Sequence, residues 1–161
     1  MTTIPAQPTR PEGTVTFLFT DIEGSPRLWE AHSDWMKLAH ARHEAILRQA
    51  IEAHGGYAYK MVGDAFQAAF ATAVQALQAA LDAQRALHRE EWGPAGESGR
   101  HRGLPLRVRM ALHTGVTEER EGDYFGPALN RAQRLMSAGH GGRPSSPRLP
   151  NHCCVTPSPR V

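Results

Sequence analysis

The sequence is poor in the features that mark several common protein classes. It has only two cysteines, adjacent at Cys153 and Cys154, a spacing that suits neither a disulfide framework nor a zinc site. No apolar run approaches the roughly 20 residues of a membrane-spanning helix, and residues 1–12 are too polar for a signal peptide. We therefore expect a cytoplasmic protein that does not enter a membrane.

The chain also lacks a strong charge of either sign. Its formal net charge is +2, but residues 141–161 hold three arginines and no acid, so residues 1–140 carry −1. The arginines of that body are dispersed among acids, without a basic stripe interleaved with aromatic residues. We expect no nucleic-acid partner. The nine histidines form no HExxH pattern, so we expect no histidine-based metal site either.

What is present is one domain's worth of alternating strand and helix patterns. The 161 residues are 40% apolar, and they contain neither GxGxxG nor a Walker-type phosphate loop. The predicted elements are a strand (14–20), a short helical turn (27–31), a long helix (34–54), a hairpin (57–70), a helix (72–88), a strand (106–113) and a helix from about 126. Residues 92–105 read as a Gly/Pro-rich loop and 118–121 as a charged turn. This order favours an α+β fold.

The helix boundaries and buried sides follow from capping and spacing. We predict that Ser33 caps the long helix and that Thr72 and Gln75 form a capping box for the next one. The apolar side of the long helix is predicted to contain Met36, Leu38, Ala39, Ala45, Ile46, Ala50 and Ile51. For the second helix we predict Val74, Leu77, Leu81 and Leu87.

Two aspartates stand where loops leave these strands. Asp21 closes the apolar run TVTFLFTD (14–21), and Asp64 sits in a Gly-Asp turn between two short runs (57–70). Both are also ordinary turn residues, which is the plainer interpretation of each one alone. Carboxylates on neighbouring loops can instead hold paired divalent cations for phosphoryl displacement. Nucleotide chemistry is therefore our leading hypothesis.

A second pair of polar residues lies on the last helix. Asn130 and Arg134 are four residues apart, so they share one face of any helix that begins near Gly126. Arginine offers a permanently charged fork that matches phosphate oxygens. The pair is equally compatible with two exposed helix residues. Arg131 points elsewhere around the helix, and we leave it out of the site.

Four blocks of the chain together resemble the class III adenylate/guanylate cyclase catalytic domain. They are FLFTDIEGS (17–25), YKMVGDAFQAAF (59–70), RVRMALHTG (107–115) and GDYFGPALNRAQRLM (122–136). They occur in the family's order and span roughly residues 13–142. The resemblance implies the nucleotide cyclase fold, a ferredoxin-like, palm-related mixed sheet flanked by helices.

The resemblance also implies the site residues and the cofactors. Asp21 and Asp64 match the aspartates that bind two Mg²⁺ or Mn²⁺ ions, with Ile22 contributing a backbone carbonyl. The site would further comprise a base-reading pair, Lys60 and Asp123, a ribose-orienting asparagine, Asn130, and a transition-state arginine, Arg134. A lysine donor with an aspartate acceptor suits the edge of adenine, so the implied substrate is ATP and the product is cyclic AMP.

The resemblance further implies a homodimer, because family sites combine the metal residues of one protomer with the remaining residues of the other. After GHGG (139–142) the family continues with more strands, whereas here a Pro-rich segment follows. We therefore expect residues 13–142 to form an incomplete domain that lacks the last strands, as after a frameshift or truncation. Residues 1–12 and 143–161 are expected to be disordered. The alternatives are an inactive nucleotide-binding or regulatory module and, less in keeping with the charge, polymerase-like transfer.

Overall fold

In the computed structural model, the described residues are 10–93, 106–138 and the backbone of 153–155. Together they contain six strands and four helices. In chain order these are β1 (Gly13–Ile22), α1 (Ser25–Ala31), α2 (Ser33–Ala53), β2 (Tyr57–Val62), β3 (Ala65–Phe70), α3 (Ala73–Arg89), β4 (Val108–Arg120), β5 (Asp123–Phe125), α4 (Pro127–Ala138) and β6 (Cys153–Val155).

The strands form one sheet in the order β2-β3-β1-β4-β5, and β6 pairs with β4. β1 is central and runs antiparallel to both β3 and β4, pairing with β4 over ten residues from Gly13 to Ile22. β6 is parallel to β4, so the sheet is mixed. The predicted α+β class with a mixed sheet flanked by helices is confirmed.

The central strand is buried on both faces, which explains its nearly continuous apolar sequence. Leu18 and Ile22 point into a core formed with α2 and α3. Val15, Phe17 and Phe19 point into a second core on the opposite face, formed with α4 and the β4–β5 hairpin. Because side chains alternate along a strand, Asp21 follows Phe19 onto the α4 side of the sheet.

The buried sides of the helices differ in part from the prediction. On α3, Val74 is 64% exposed, and Leu77 and Leu81 are also exposed, so only Leu87 of the predicted set is buried. The buried positions are otherwise alanines: Ala76, Ala79, Ala80 and Ala83. Small side chains let the helix lie close to its neighbours. The prediction that Val74, Leu77 and Leu81 are buried is wrong, because hydrophobicity alone does not indicate how much space the core leaves for a side chain. On α2, Leu38 and Ala45 are exposed, and the buried set is Met36, Ala39, His43, Ile46, Leu47, Ala50 and Ile51.

One of the two predicted caps is present. The Gln75 backbone N donates to Thr72 Oγ1 at 3.2 Å, which is the N-cap half of a capping box, and Thr72 Oγ1 donates to the Gln75 side-chain oxygen at 3.0 Å. The prediction for Ser33 is wrong, since α2 begins at Ser33 itself and its cap residue, His32, makes no side-chain capping bond. β4 is also longer than predicted. The charged segment remains in the strand up to Arg120, and the reversal comes at Glu121 and Gly122, both with positive φ.

The chain ends also differ from the prediction where they are described. In the predicted disordered arm 1–12, Arg10 pairs with Glu119 at 3.3 Å, and the Tyr124 hydroxyl donates to the Pro11 carbonyl at 2.9 Å. Within 143–161, the apolar Cys153–Val155 forms a strand on the free edge of β4, contrary to our expectation of no strand there. Residues 1–9 and most of the predicted loop 92–105 lie outside the described residues, as does the remainder of the tail.

Candidate active site

The structure brings the two predicted metal aspartates to one place. Asp21 lies near the end of β1, and Asp64 lies in the turn between β2 and β3. The Ile22 backbone N donates to Asp64 Oδ2 at 2.8 Å, and Ser25 Oγ donates to Asp64 Oδ1 at 3.3 Å. The carboxylate of Asp64 therefore sits against the peptide that directly follows Asp21.

The turn that carries Asp64 depends on the conformation of Gly63 and on a contact with α2. Gly63 has φ +60°, a left-handed conformation that a side chain would strain, and it allows the tight reversal. His40 Nε2 on α2 lies 3.2 Å from the Gly63 carbonyl oxygen. The long helix thus contacts the turn next to Asp64.

A residue that the sequence reasoning missed shares this site. Arg109 stands directly opposite Asp21 in the register of β1 and β4. Its Nε donates to Asp21 Oδ1 at 2.7 Å and its Nη2 donates to Oδ2 at 2.6 Å, a bidentate ion pair. The available signal was an arginine, the second of two in RVRMALHTG (107–115), that stands between the apolar residues Val108 and Met110.

The donor set fits a hard divalent cation. The carboxylates of Asp21 and Asp64 and the backbone carbonyl of Ile22 are all oxygen ligands, which Mg²⁺ and Mn²⁺ prefer. Among the described residues, no group of three or more His, Cys, Asp or Glu side chains could hold a metal by itself. Magnesium usually takes only one or two protein carboxylates and completes its shell with water and substrate phosphates. The site therefore suits an ion that arrives with a phosphorylated ligand.

The predicted base-reading pair also meets in the structure. Lys60 Nζ donates to Asp123 Oδ2 at 2.6 Å, and this hydrogen bond holds the pKa of Asp123 below its ordinary value. The backbone N of Tyr124 donates to the other carboxylate oxygen at 2.8 Å. Both side chains remain partly exposed, with 45% for Lys60 and 34% for Asp123. The pair is therefore accessible to a ligand.

Aromatic rings next to Lys60 and Asp123 in the chain pack together and hold the two strands in contact. Tyr59 and Tyr124, the chain neighbours of Lys60 and Asp123, pack edge to face at 4.8 Å, and each also contacts Phe17. Burial raises the pKa of both phenols, that of Tyr124 to about 12. The phenols therefore stay neutral at physiological pH. Tyr124 holds β5 against Phe17 of β1 and Tyr59 of β2, although β2 and β5 stand at opposite ends of the strand order.

Asn130 and Arg134 lie where their spacing predicted, on the exposed face of α4. The opposite face buries Ala128, Ala132 and Met136. α4 lies close to β4 at Gly115. A Cβ on that residue would be only 2.7 Å from the Cβ of Ala128, so the close approach requires glycine there. Arg131, which we left out, lies near His113. Its positive charge adds to the effect of burial in lowering the pKa of that histidine.

No helix in the described ranges has both the length and the apolar character that crossing a bilayer requires.

Comparison with known proteins agrees with the resemblance to the cyclase catalytic domain. The sequence profile of the adenylate and guanylate cyclase catalytic domain matches residues 7–144. The chain is 36% identical over 152 residues to an adenylate cyclase of Lachancea kluyveri. The matched region covers 83% of this chain and 8% of that protein.

Two further relatives differ in how much of their length is matched. An uncharacterized protein of Mycobacterium tuberculosis is 37% identical over 135 residues, covering 83% of this chain and 42% of that protein. A solved structure of adenylate cyclases from Trypanosoma brucei in their monomeric state has a TM-score of 0.67 and 31% identity, covering 83% of this chain and 71% of that one. The chain thus spans less than half the length of the Lachancea and Mycobacterium relatives. It belongs to the family of adenylate and guanylate cyclase catalytic domains.

Proposed function

We propose that this chain is the catalytic domain of an adenylate cyclase that converts ATP into cyclic AMP and pyrophosphate for intracellular signalling. In this reaction the ribose 3′ oxygen forms a bond to the α-phosphorus and loses its proton, while the bond from that phosphorus to the pyrophosphate oxygen breaks. The observation that carries the proposal is the meeting of Asp64 with the peptide that follows Asp21, within one family domain. Because ATP is the substrate, we place the protein in the cytoplasm.

Asp21 and Asp64, with the Ile22 carbonyl, would hold two Mg²⁺ or Mn²⁺ ions. When bound, such ions supply positive charge that acidifies the attacking hydroxyl and stabilises the triphosphate. The protein's task is to hold both carboxylates in position. The Ile22 backbone N and the Ser25 hydroxyl, which both donate to Asp64, fix the orientation of its carboxylate.

Lys60 and Asp123 would select the base. Adenine presents an acceptor at N1 and a donor at its exocyclic amine, whereas guanine presents the reverse pattern at the matching positions. A lysine donor beside an aspartate acceptor therefore favours adenine. The 2.6 Å ion pair holds both groups in place before the nucleotide arrives, which lowers the entropic cost of recognition.

Asn130 and Arg134 would act on the ribose and on the reacting phosphate. The asparagine would orient the sugar, so that its 3′ oxygen lies in line with the bond that breaks. The guanidinium would stabilise the charge that builds on the phosphoryl oxygens in the transition state. Their exposure on α4 leaves both side chains available to a substrate.

We further propose a homodimer with two equivalent sites, in which Asp21 and Asp64 of one protomer face Lys60, Asp123, Asn130 and Arg134 of the other. This arrangement is carried over from the family resemblance. It is compatible with the exposure of the second set of residues, and it predicts that the separated protomer is inactive.

The test is a product assay with ATP and, separately, GTP, in Mg²⁺ or Mn²⁺. We expect cyclic AMP from ATP, little product from GTP, and loss of at least about 100-fold in Asp64→Asn, the order of magnitude for removing a charge-stabilising group. Asp34→Asn is the matched surface control, because it makes the same substitution at an exposed site, where Asp34 forms an ion pair with its helix neighbour Lys37.

A second candidate is a nucleotide-binding module without turnover, and the bidentate engagement of Asp21 by Arg109 favours it. Saturable ATP binding without cyclic product would select this candidate. Absence of both binding and product would overturn both.

A further inference from the structure

Both carboxylate oxygens of Asp21 accept a hydrogen bond from Arg109. The two N–O distances are 2.7 and 2.6 Å, and the side chains are only 11% exposed for Arg109 and 24% for Asp21. A bidentate guanidinium–carboxylate pair is among the stronger charge-assisted contacts, and partial burial weakens its screening by water and salt. An ion that approaches Asp21 therefore competes with this contact for the charge and the oxygens of the carboxylate.

The two carboxylates of the site are not equivalent. Asp64 accepts hydrogen bonds from a backbone N–H and from a serine hydroxyl, which are neutral donors. Its negative charge therefore remains available to a cation. The charge of Asp21 is cancelled by the guanidinium, which would also repel an arriving dication.

We propose that Arg109 is an autoinhibitory contact of the metal site: it occupies Asp21 in the nucleotide-free protein, and divalent cations bind there only when its side chain withdraws. The proposal rests on the proposed function, since it concerns the same metal residues. Arg109 competes with the metal for one carboxylate, and so sets the cation concentration at which the site fills.

The backbone determines the form that this switch takes. Asp21 and Arg109 are directly paired residues in an antiparallel ladder of ten pairs, and the Glu23 backbone N donates to the Arg107 carbonyl at 2.8 Å, which continues the pairing beyond them. Opening is therefore a change of side-chain rotamer. Such changes are fast compared with domain motions, so the contact sets an equilibrium and does not impose a slow step.

The experiment measures binding of Mn²⁺ alone to the nucleotide-free full chain, by the loss of the free-ion EPR signal. We expect Arg109→Met to bind Mn²⁺ at least about tenfold more tightly than the wild type, the ratio expected when one charge-assisted contact no longer competes. Methionine retains most of the alkyl packing of arginine. Arg107→Met is the matched control. It removes the same charge two residues away, at an exposed position.

Two results would overturn the proposal. One is equal Mn²⁺ affinity in the Arg109→Met and Arg107→Met variants. The other is tight binding that survives in Arg109→Met with Asp21→Asn, since the ion would then lie elsewhere.

A measurement on the wild type keeps the test independent of whether the variants fold. The Arg109 Nε–H resonance in a nitrogen-15 NMR spectrum should shift or broaden saturably as Mg²⁺ is added, and an unchanged resonance at saturating Mg²⁺ contradicts the proposal. The outcome is also separable from the proposed function. Tighter metal binding in Arg109→Met, together with a wild type that forms no cyclic AMP, would support the contact and reject the cyclase.

Discussion

Acidification should destabilise the fold through one buried histidine. The His43 side chain on α2 is completely buried, and within the described part of the chain neither ring nitrogen has a hydrogen-bond partner. Burial lowers the pKa of His43 to about 4 from 6.5, and the nearby His40 adds to the shift. The ring is therefore neutral in the folded protein and packs edge-on against Phe66.

The sign and size of the effect follow from linkage. Because the folded-state pKa is lowered, the unfolded chain binds the additional proton between about pH 6.5 and pH 4, so stability falls as the pH drops through this window. From pH 7.5 to pH 5 the loss is about 2 kcal/mol, since each pKa unit corresponds to about 1.4 kcal/mol. Near pH 7.5 the protonation of His43 does not change the free energy of unfolding appreciably, because the ring is neutral in both states.

The assay is urea unfolding at several pH values for the wild type and His43→Leu. Leucine removes both unpaired nitrogens, so we expect equal or greater stability at pH 7.5 and a pH dependence reduced by about 2 kcal/mol between pH 7.5 and pH 5. His88→Leu, at an exposed site, controls for the loss of one imidazole. Parallel stability curves for the wild type and His43→Leu across this range would refute the reasoning.

Three further predictions concern packing and hydrogen bonds, each checked by thermal or urea unfolding. Gly115→Ala should cost about 1–3 kcal/mol, because the new methyl would lie 2.7 Å from the Ala128 Cβ, and it should also lower activity by displacing α4; an unchanged melting temperature contradicts the close approach. Thr72→Ala should cost about 1 kcal/mol through loss of the α3 cap, and a Thr72→Ser variant that is equally destabilised would argue against that cause. Tyr124→Phe should cost about 1 kcal/mol by leaving the Pro11 carbonyl without its buried donor, and no change in stability would show that water replaces it.

Sequence reasoning predicted that the two aspartates lie close together, because the patterns behind this prediction are local. Asp21 and Asp64 each stand at a strand end, and their meeting requires only that β1 and β3 be neighbours. The same holds for Asn130 and Arg134, whose shared face follows from helical periodicity. The contact between Lys60 and Asp123 could be expected only from the family resemblance, since 63 residues separate them in the chain.

The features that the sequence did not reveal depend on long-range packing. The pairing of Arg109 with Asp21 requires the register of two strands 88 residues apart. The burial of four alanines on α3, with leucines facing outward, depends on how closely the helix approaches the sheet. The strand at Cys153–Val155 reflects an open edge on β4, which no local pattern in the tail reports.

The most direct test of the account is complementation between two inactive variants. Asp21→Asn lacks the metal half of the proposed site and Arg134→Ala lacks the other half, so each alone should form no cyclic AMP. Mixed in equal amounts under exchange, half of the dimers are mixed and each holds one intact site, so about a quarter of wild-type activity should return. A mixture that stays inactive while exchange is demonstrated would contradict a site shared between two copies of this chain, and activity of one variant alone would contradict the role proposed for its residue.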